Sequence, residues 1–169
     1  QWARKQVQVV ITKDTNDVTV LPSNFTGTVG KAAHFGVTVP AKYDAAKMIV
    51  LAGTIHGEHK YLVPESQHID DNGNITFYYQ FTVTEDMFAQ NHGTGEQTLP
   101  VHVGAVTEKT FNVTLPTGEQ IDVNFTAPMD AVGSKSATVK YDGSAAFTVT
   151  ARNGYAVKGV YVNGAKQAD

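Results

Sequence analysis

In this 169-residue chain, the residues best suited to chemistry lie between His56 and Asn74. His56-Gly57-Glu58-His59 sets two imidazoles three apart around an acid, and His68 follows as a third donor. Such a set suits zinc or another borderline metal, for which neutral imidazole is a good ligand. On a strand, residues three apart point to opposite faces, so only a turn at Gly57 brings the two rings together. The spacing is not the His-Glu-x-x-His of helical metalloproteases. Asp70-Asp71-Asn72-Gly73-Asn74 gathers oxygen ligands around a glycine, as calcium loops do. Counted from Asp70, the twelfth position, where an EF-hand needs a bidentate Glu, is Phe81. A hairpin tip and a strand-connecting turn account for both stretches with no cofactor at all.

Other chemistry is sparse. There is no cysteine, which excludes disulfides, thiolate metal sites and a cysteine nucleophile. Serine numbers only five, and no Gly-x-Ser-x-Gly elbow is present. No phosphate-cradling glycine loop follows a strand, and the acid pairs fall on turns, which is poor ground for a glycosidase. The chain is read as non-enzymatic. Four Asn-x-Thr triplets, at Asn24, Asn74, Asn112 and Asn124, match the N-glycosylation acceptor, although Thr-rich strands generate that triplet easily. A Lys–Asn isopeptide crosslink would need a buried acid beside both partners, and the sequence does not pair them.

The elements that must position these residues are strands. Twenty Thr and fifteen Gly accompany segments built from Val, Thr, Phe and Tyr. In Asn74–Val83, the residues Ile75, Phe77, Tyr79, Phe81 and Val83 share one face, and Thr76, Tyr78, Gln80 and Thr82 share the other. Leu99, Val101, Val103 and Ala105 likewise oppose His102 and Gly104. Shorter runs occur at Gln6–Thr12, Val18–Leu21, His34–Val39 and Met48–Ile55, with turn clusters between them. Only Ala41–Ala46 and Thr84–Gln90, the latter with Thr84 as its capping residue, hold a helical turn or two.

From Thr110 the spacing predicts five strands: Thr110–Leu115, Gln120–Thr126, Ser136–Tyr141, Ala145–Ala151 and Ala156–Val162. Asp142-Gly143 reads as a two-residue hairpin turn with both φ angles positive. The pattern pauses at Glu108-Lys109. The expected architecture is therefore all-β: an immunoglobulin-like β-sandwich over residues 1–108, then a second small β-sandwich over residues 109–169. The label for the first domain is architectural only, since the Cys–Trp–Cys core of antibody domains is missing and Trp2 is the only Trp.

The run Phe147-Thr-Val149-Thr-Ala151-Arg-Asn-Gly154-Tyr155-Ala-Val157-Lys-Gly-Val160-Tyr-Val162-Asn163-Gly164 resembles the bacterial-repeat modules of large surface proteins. Phe111–Gly118 and Ala137–Ala146 fit the earlier part of that pattern, so the resemblance spans about residues 110–169. It implies a small β-sandwich, often in tandem, serving as a stalk, spacer or adhesive unit, with no catalytic residues to carry over. Asn163-Gly164 is itself a hairpin signal, and only the polar Ala165–Asp169 follow it. The expectation is a truncated polypeptide or a partner strand given by a neighbouring chain, with Gln1–Lys13 the terminal strand best able to be exchanged.

Thirteen basic against sixteen acidic residues leave a net charge of -3, which excludes a nucleic-acid binder driven by a strong basic field. No apolar run reaches the ~20 residues of a membrane helix, so no membrane insertion is expected. A chain beginning at Gln1 reads as a mature or excised piece. Between Glu58 and Glu96 seven acids face only Lys60, while residues 135–169 carry Lys135, Lys140, Arg152, Lys158 and Lys166 against Asp142 and Asp169. Opposite charge at opposite ends would steer copies head to tail. The function expected is a structural or adhesive module of a larger extracellular bacterial surface protein. Its partners would be other domains or copies of the same protein, a host-surface protein or a glycan. The alternatives are a subunit of an ordered assembly (a phage capsid decoration or fibre protein on the virion surface, or an extracellular filament with strand donation) and a glycan-binding module.

Overall fold

The computed structural model describes residues 2–54, 59–88 and 97–168. The protein is all-β: its described residues form fifteen strands, with helix confined to single 3-10 turns at Ala45–Lys47, Glu85–Met87 and Met129–Ala131. None of these helices is long and apolar enough to cross a membrane. Contacts divide the chain into unit 1, Gln1–Glu108, and unit 2, Lys109–Asp169.

Unit 1 has nine strands: β1 Gln6–Lys13, β2 Thr19–Leu21, β3 Asn24–Thr28, β4 Ala32–Val39, β5 Ile49–Gly53, β6 His59–Tyr61, β7 Ser66–Ile69, β8 Ile75–Thr82 and β9 Thr98–Gly104. They form a five-stranded sheet in the order β3-β1-β9-β5-β6 and a four-stranded sheet in the order β2-β4-β8-β7. All pairings are antiparallel except β1 with β9, which run parallel over six registered pairs from Gln8–Thr98 to Lys13–Val103. The alternation explains the core. Val7, Val9, Leu99, Val101 and Val103 from one sheet meet Val37, Phe77, Tyr79 and Phe81 from the other in one hydrophobic cluster. Burying a large aliphatic or aromatic side chain contributes roughly 1.5–3 kcal/mol. Phe35 and Tyr79, directly opposite in the β4–β8 ladder, stack at 5.3 Å. Gly27 packs closely here: a Cβ would lie 3.2 Å from both Val9 and Val83, so those side chains would have to give by a few tenths of an ångström.

Several boundaries differ from expectation. Ala105 does not continue the buried face of β9; it is exposed, with φ at 53°. Thr84 precedes the 3-10 turn at Glu85–Met87 without capping it, and its buried hydroxyl has no hydrogen-bond partner among the described residues. The N-terminal stretch forms β1, which lies between β3 and β9 in the five-stranded sheet.

Unit 2 contains β10 Thr110–Thr114, β11 Ile121–Ala127, β12 Ser136–Lys140, β13 Ala146–Ala151, β14 Tyr161–Val162 and β15 Ala165–Lys166. β10 pairs with β12 and β11 with β13, both antiparallel, so each successive connection passes from one two-stranded sheet to the other. Leu115, Val123, Phe125, Ala131 and Ala137 form its buried cluster, bordered by Ile121, Phe147 and Val149. Asp142-Gly143 is consequently not a hairpin turn. Asp142 alone of the two has a positive φ, 58°, and the turn hands the chain from β12 to the other sheet. Gly143 is needed because a Cβ there would sit 2.9 Å from the Lys140 carbonyl oxygen.

The expected strand over Ala156–Val162 shrinks to Tyr161–Val162. Asn163 and Gly164, with φ of 49° and 81°, turn the chain back so that Ala165–Lys166 pairs with it. The hairpin therefore finds its partner strand within the same chain, not in a neighbour.

Candidate functional site

His56, Gly57 and Glu58 lie outside the described residues. His59 is exposed on β6, its ring edge-on to Tyr61 at 6.3 Å, and His68 is exposed on β7 in the other sheet. Among the described residues, no three metal-capable side chains gather in one place.

Asp70, Asp71, Asn72 and Asn74 form the β7–β8 turn. Asp70 Oδ1 accepts from the backbone N–H groups of Asn72 and Asn74, both at 2.9 Å, and Oδ2 accepts from the Asn74 side-chain amide at 3.0 Å. The Asn74 amide above all holds the Asp70 carboxyl below the usual carboxylate range, outweighing the opposing burial penalty, and the two backbone donors add to it. Gly73 takes φ of 82°, which suits glycine, and Asn74 Oδ1 accepts from Ala41 N at 3.1 Å. The carboxylate is thus occupied in closing a turn, and this turn ties β8 to the loop after β4.

Of the Asn-x-Thr residues, Asn24, Asn112 and Asn124 are exposed, whereas Asn74 is half-buried with its amide nitrogen already donated to Asp70. Lys135 Nζ donates to Asn124 Oδ1 at 3.3 Å, and both residues are exposed. Tyr78 faces outward and Tyr79 inward, as alternation requires. Tyr155 and Tyr161 are exposed in unit 2.

One cluster was not singled out by sequence. His102 stands opposite Thr12 in the β1–β9 ladder, its Nδ1 at 2.7 Å from the Thr12 hydroxyl and its Nε2 at 2.8 Å from Asp14 Oδ1. A neutral ring protonated on Nε2 satisfies both, donating to Asp14 and accepting from Thr12; this tautomer is assigned from the bonding pattern. The order carboxylate, imidazole, hydroxyl is that of a hydrolase triad. The groups lie on the open outer face of a sheet, though, and close a cross-strand contact.

The remaining features are open edges and clefts. In unit 2 a cleft of about 450 Å³ lies over Val113, Ile121, Phe147 and Val149, with Gly159–Asn163 along its rim. A second, of about 530 Å³, runs between β13 and the stretch Val157–Val160. The sheet orders leave β2, β3, β6 and β7 in unit 1, and every strand of the two-stranded sheets of unit 2, β13 among them, with one edge unpaired among the described residues. Such an edge presents backbone donors and acceptors that another strand can take up.

Compared with protein-family models, with curated proteins and with solved structures, the chain matches none.

Proposed function

We propose that the chain is a non-catalytic structural or adhesive module of a larger extracellular bacterial surface protein. The observation that carries this reading is the division into two compact β units, each with its own hydrophobic cluster. Units that bury their own cores can be strung along a polypeptide as spacers. The order β2-β4-β8-β7, facing a sheet in which the first strand runs parallel to the last, supports an immunoglobulin-like reading of unit 1. The Gly154-Tyr155 to Asn163-Gly164 pattern supports a bacterial-repeat reading of unit 2. Fold-level likeness is analogy, so the function must be tested at the cell.

The test is antibody labelling of intact against lysed source cells, using antibody raised against residues 1–169. Labelling of intact cells, abolished by brief surface proteolysis, is the expected result. Labelling seen only after lysis would overturn the proposal.

A further inference from the structure

We propose that copies of this chain associate head to tail, through a strand ladder between the open edge of β13 in one copy and the open edge of β7 in the next. This goes beyond a surface-module role, which requires no self-association, and it stands or falls separately.

The two edges are complementary in length, charge and apolar content. β13 has six residues and β7 four, so a ladder of four rungs fits. The β13 edge borders the cleft rimmed by Val157–Val160, where Lys158 and Lys166 are exposed and neither forms an ion pair among the described residues. The Lys166 stem crosses Gly159, whose Cβ would lie 3.5 Å from Lys166 Cε. β7 is exposed along its whole length and flanked by Glu65, Asp70 and Asp71. Its Ile69 is 55% exposed, and Val157 beside the β13 cleft is 44% exposed, so each edge offers the other an apolar side chain.

The charges decide which pairing forms. Two β7 edges would bring acid against acid, and two β13 edges lysine against lysine. Only the unlike pair is attractive. Flanking charge of one sign is a usual defence of an edge against its own kind. Here the opposite signs on two edges turn that defence into a choice of partner. A contact between two different surfaces is heterologous and propagates into chains or closes into rings.

The test is light scattering after size exclusion on residues 1–169 over a concentration series at low and high salt. Mass above the monomer that grows with concentration and falls with salt is expected. Lys158→Glu with Lys166→Glu should weaken association by about tenfold or more, as should Glu65→Lys with Asp71→Lys, because like charges would then face each other. An equimolar mixture of the two variants should recover it, since both contacts between one variant and the other again set unlike charges face to face. Hydrogen exchange on the wild-type chain should slow in β7 and β13 as association proceeds. A strict monomer at low salt, an oligomer indifferent to both charge reversals, or unchanged exchange at these strands would each overturn the proposal.

Discussion

Asp14 and His102 stand 88 residues apart in the chain and 2.8 Å apart in space, the imidazole Nε2 donating to the carboxylate Oδ1. The contact fastens the end of β1 to β9, where Asp14 N also donates to the Val103 carbonyl at 3.0 Å. Both side chains are nearly half exposed, at 45% and 44%, so solvent screens the pair.

Asp14→Ala should therefore cost only about 0.5–1 kcal/mol in urea denaturation. It should also free the Thr12–His102 contact to rotate, which the imidazole proton and nitrogen shifts report. A loss above about 3 kcal/mol would mean that the pair is more deeply coupled to the fold than its exposure implies.

The Asp70 turn makes acid stability measurable. Its carboxyl is held below the ordinary value of 3.8 in the folded chain, first by the Asn74 amide. A depressed carboxyl stabilises the fold fully above its unfolded value, and that contribution is lost as pH falls through the folded one. Thermal melts of the wild type should thus fall below pH 3.8, and Asp70→Ala should lose the part of that dependence due to this group. An Asp70 carboxyl carbon titrating at 3.8 or above would refute the bonding around it.

Alkali tests the core of unit 1. Desolvation pushes the Tyr79 phenol from 10.0 up to about 12, so the folded chain favours its neutral form. That preference contributes stability below pH 10 and is lost as pH rises towards 12. Phenolate absorbance should show one tyrosine titrating late, and Tyr79→Phe should remove both that step and part of the alkaline destabilisation. Titration of every tyrosine near its ordinary value would refute the buried placement.

The two cores differ in depth: among the described residues, twenty-one side chains form the unit 1 cluster and five the unit 2 cluster. Phe125→Ala in unit 2 should cost about 3–5 kcal/mol and abolish its thermal transition while leaving that of unit 1. Leu99→Ala should lower the unit 1 transition, by about 2–5 kcal/mol in stability. Calorimetry in which Phe125→Ala melts both units together would show that the cores are not independent.

Strong period-two signals were legible. Asn74–Val83 became β8 with the expected faces, because Phe77, Tyr79 and Phe81 bury while Tyr78, Gln80 and Thr82 do not. The pause at Glu108-Lys109 is where the two units divide. What was not legible depends on pairing at long range. Asp142-Gly143 carries a hairpin signature, yet β12 and β13 join different sheets because their apolar residues face a shared interior from opposite sides. β6 and β7 were missed because they are wholly exposed, so no alternation marks them. The Asp14–His102–Thr12 cluster escaped notice for a related reason. Only the parallel β1–β9 register makes neighbours of residues that no sequence motif connects.

That register also sets how unit 1 bears tension. In a parallel pair, the incoming end of β1 and the outgoing end of β9 lie at opposite ends of the shared ladder. Pulling on the unit through its two ends slides the strands past one another. Six registered pairs must then yield together, not one at a time as in a peeled hairpin. Single-molecule stretching should find a high-force rupture for unit 1, and a low one would contradict this geometry. Built this way, the unit is a shear clamp whose grip comes from the direction of its first strand.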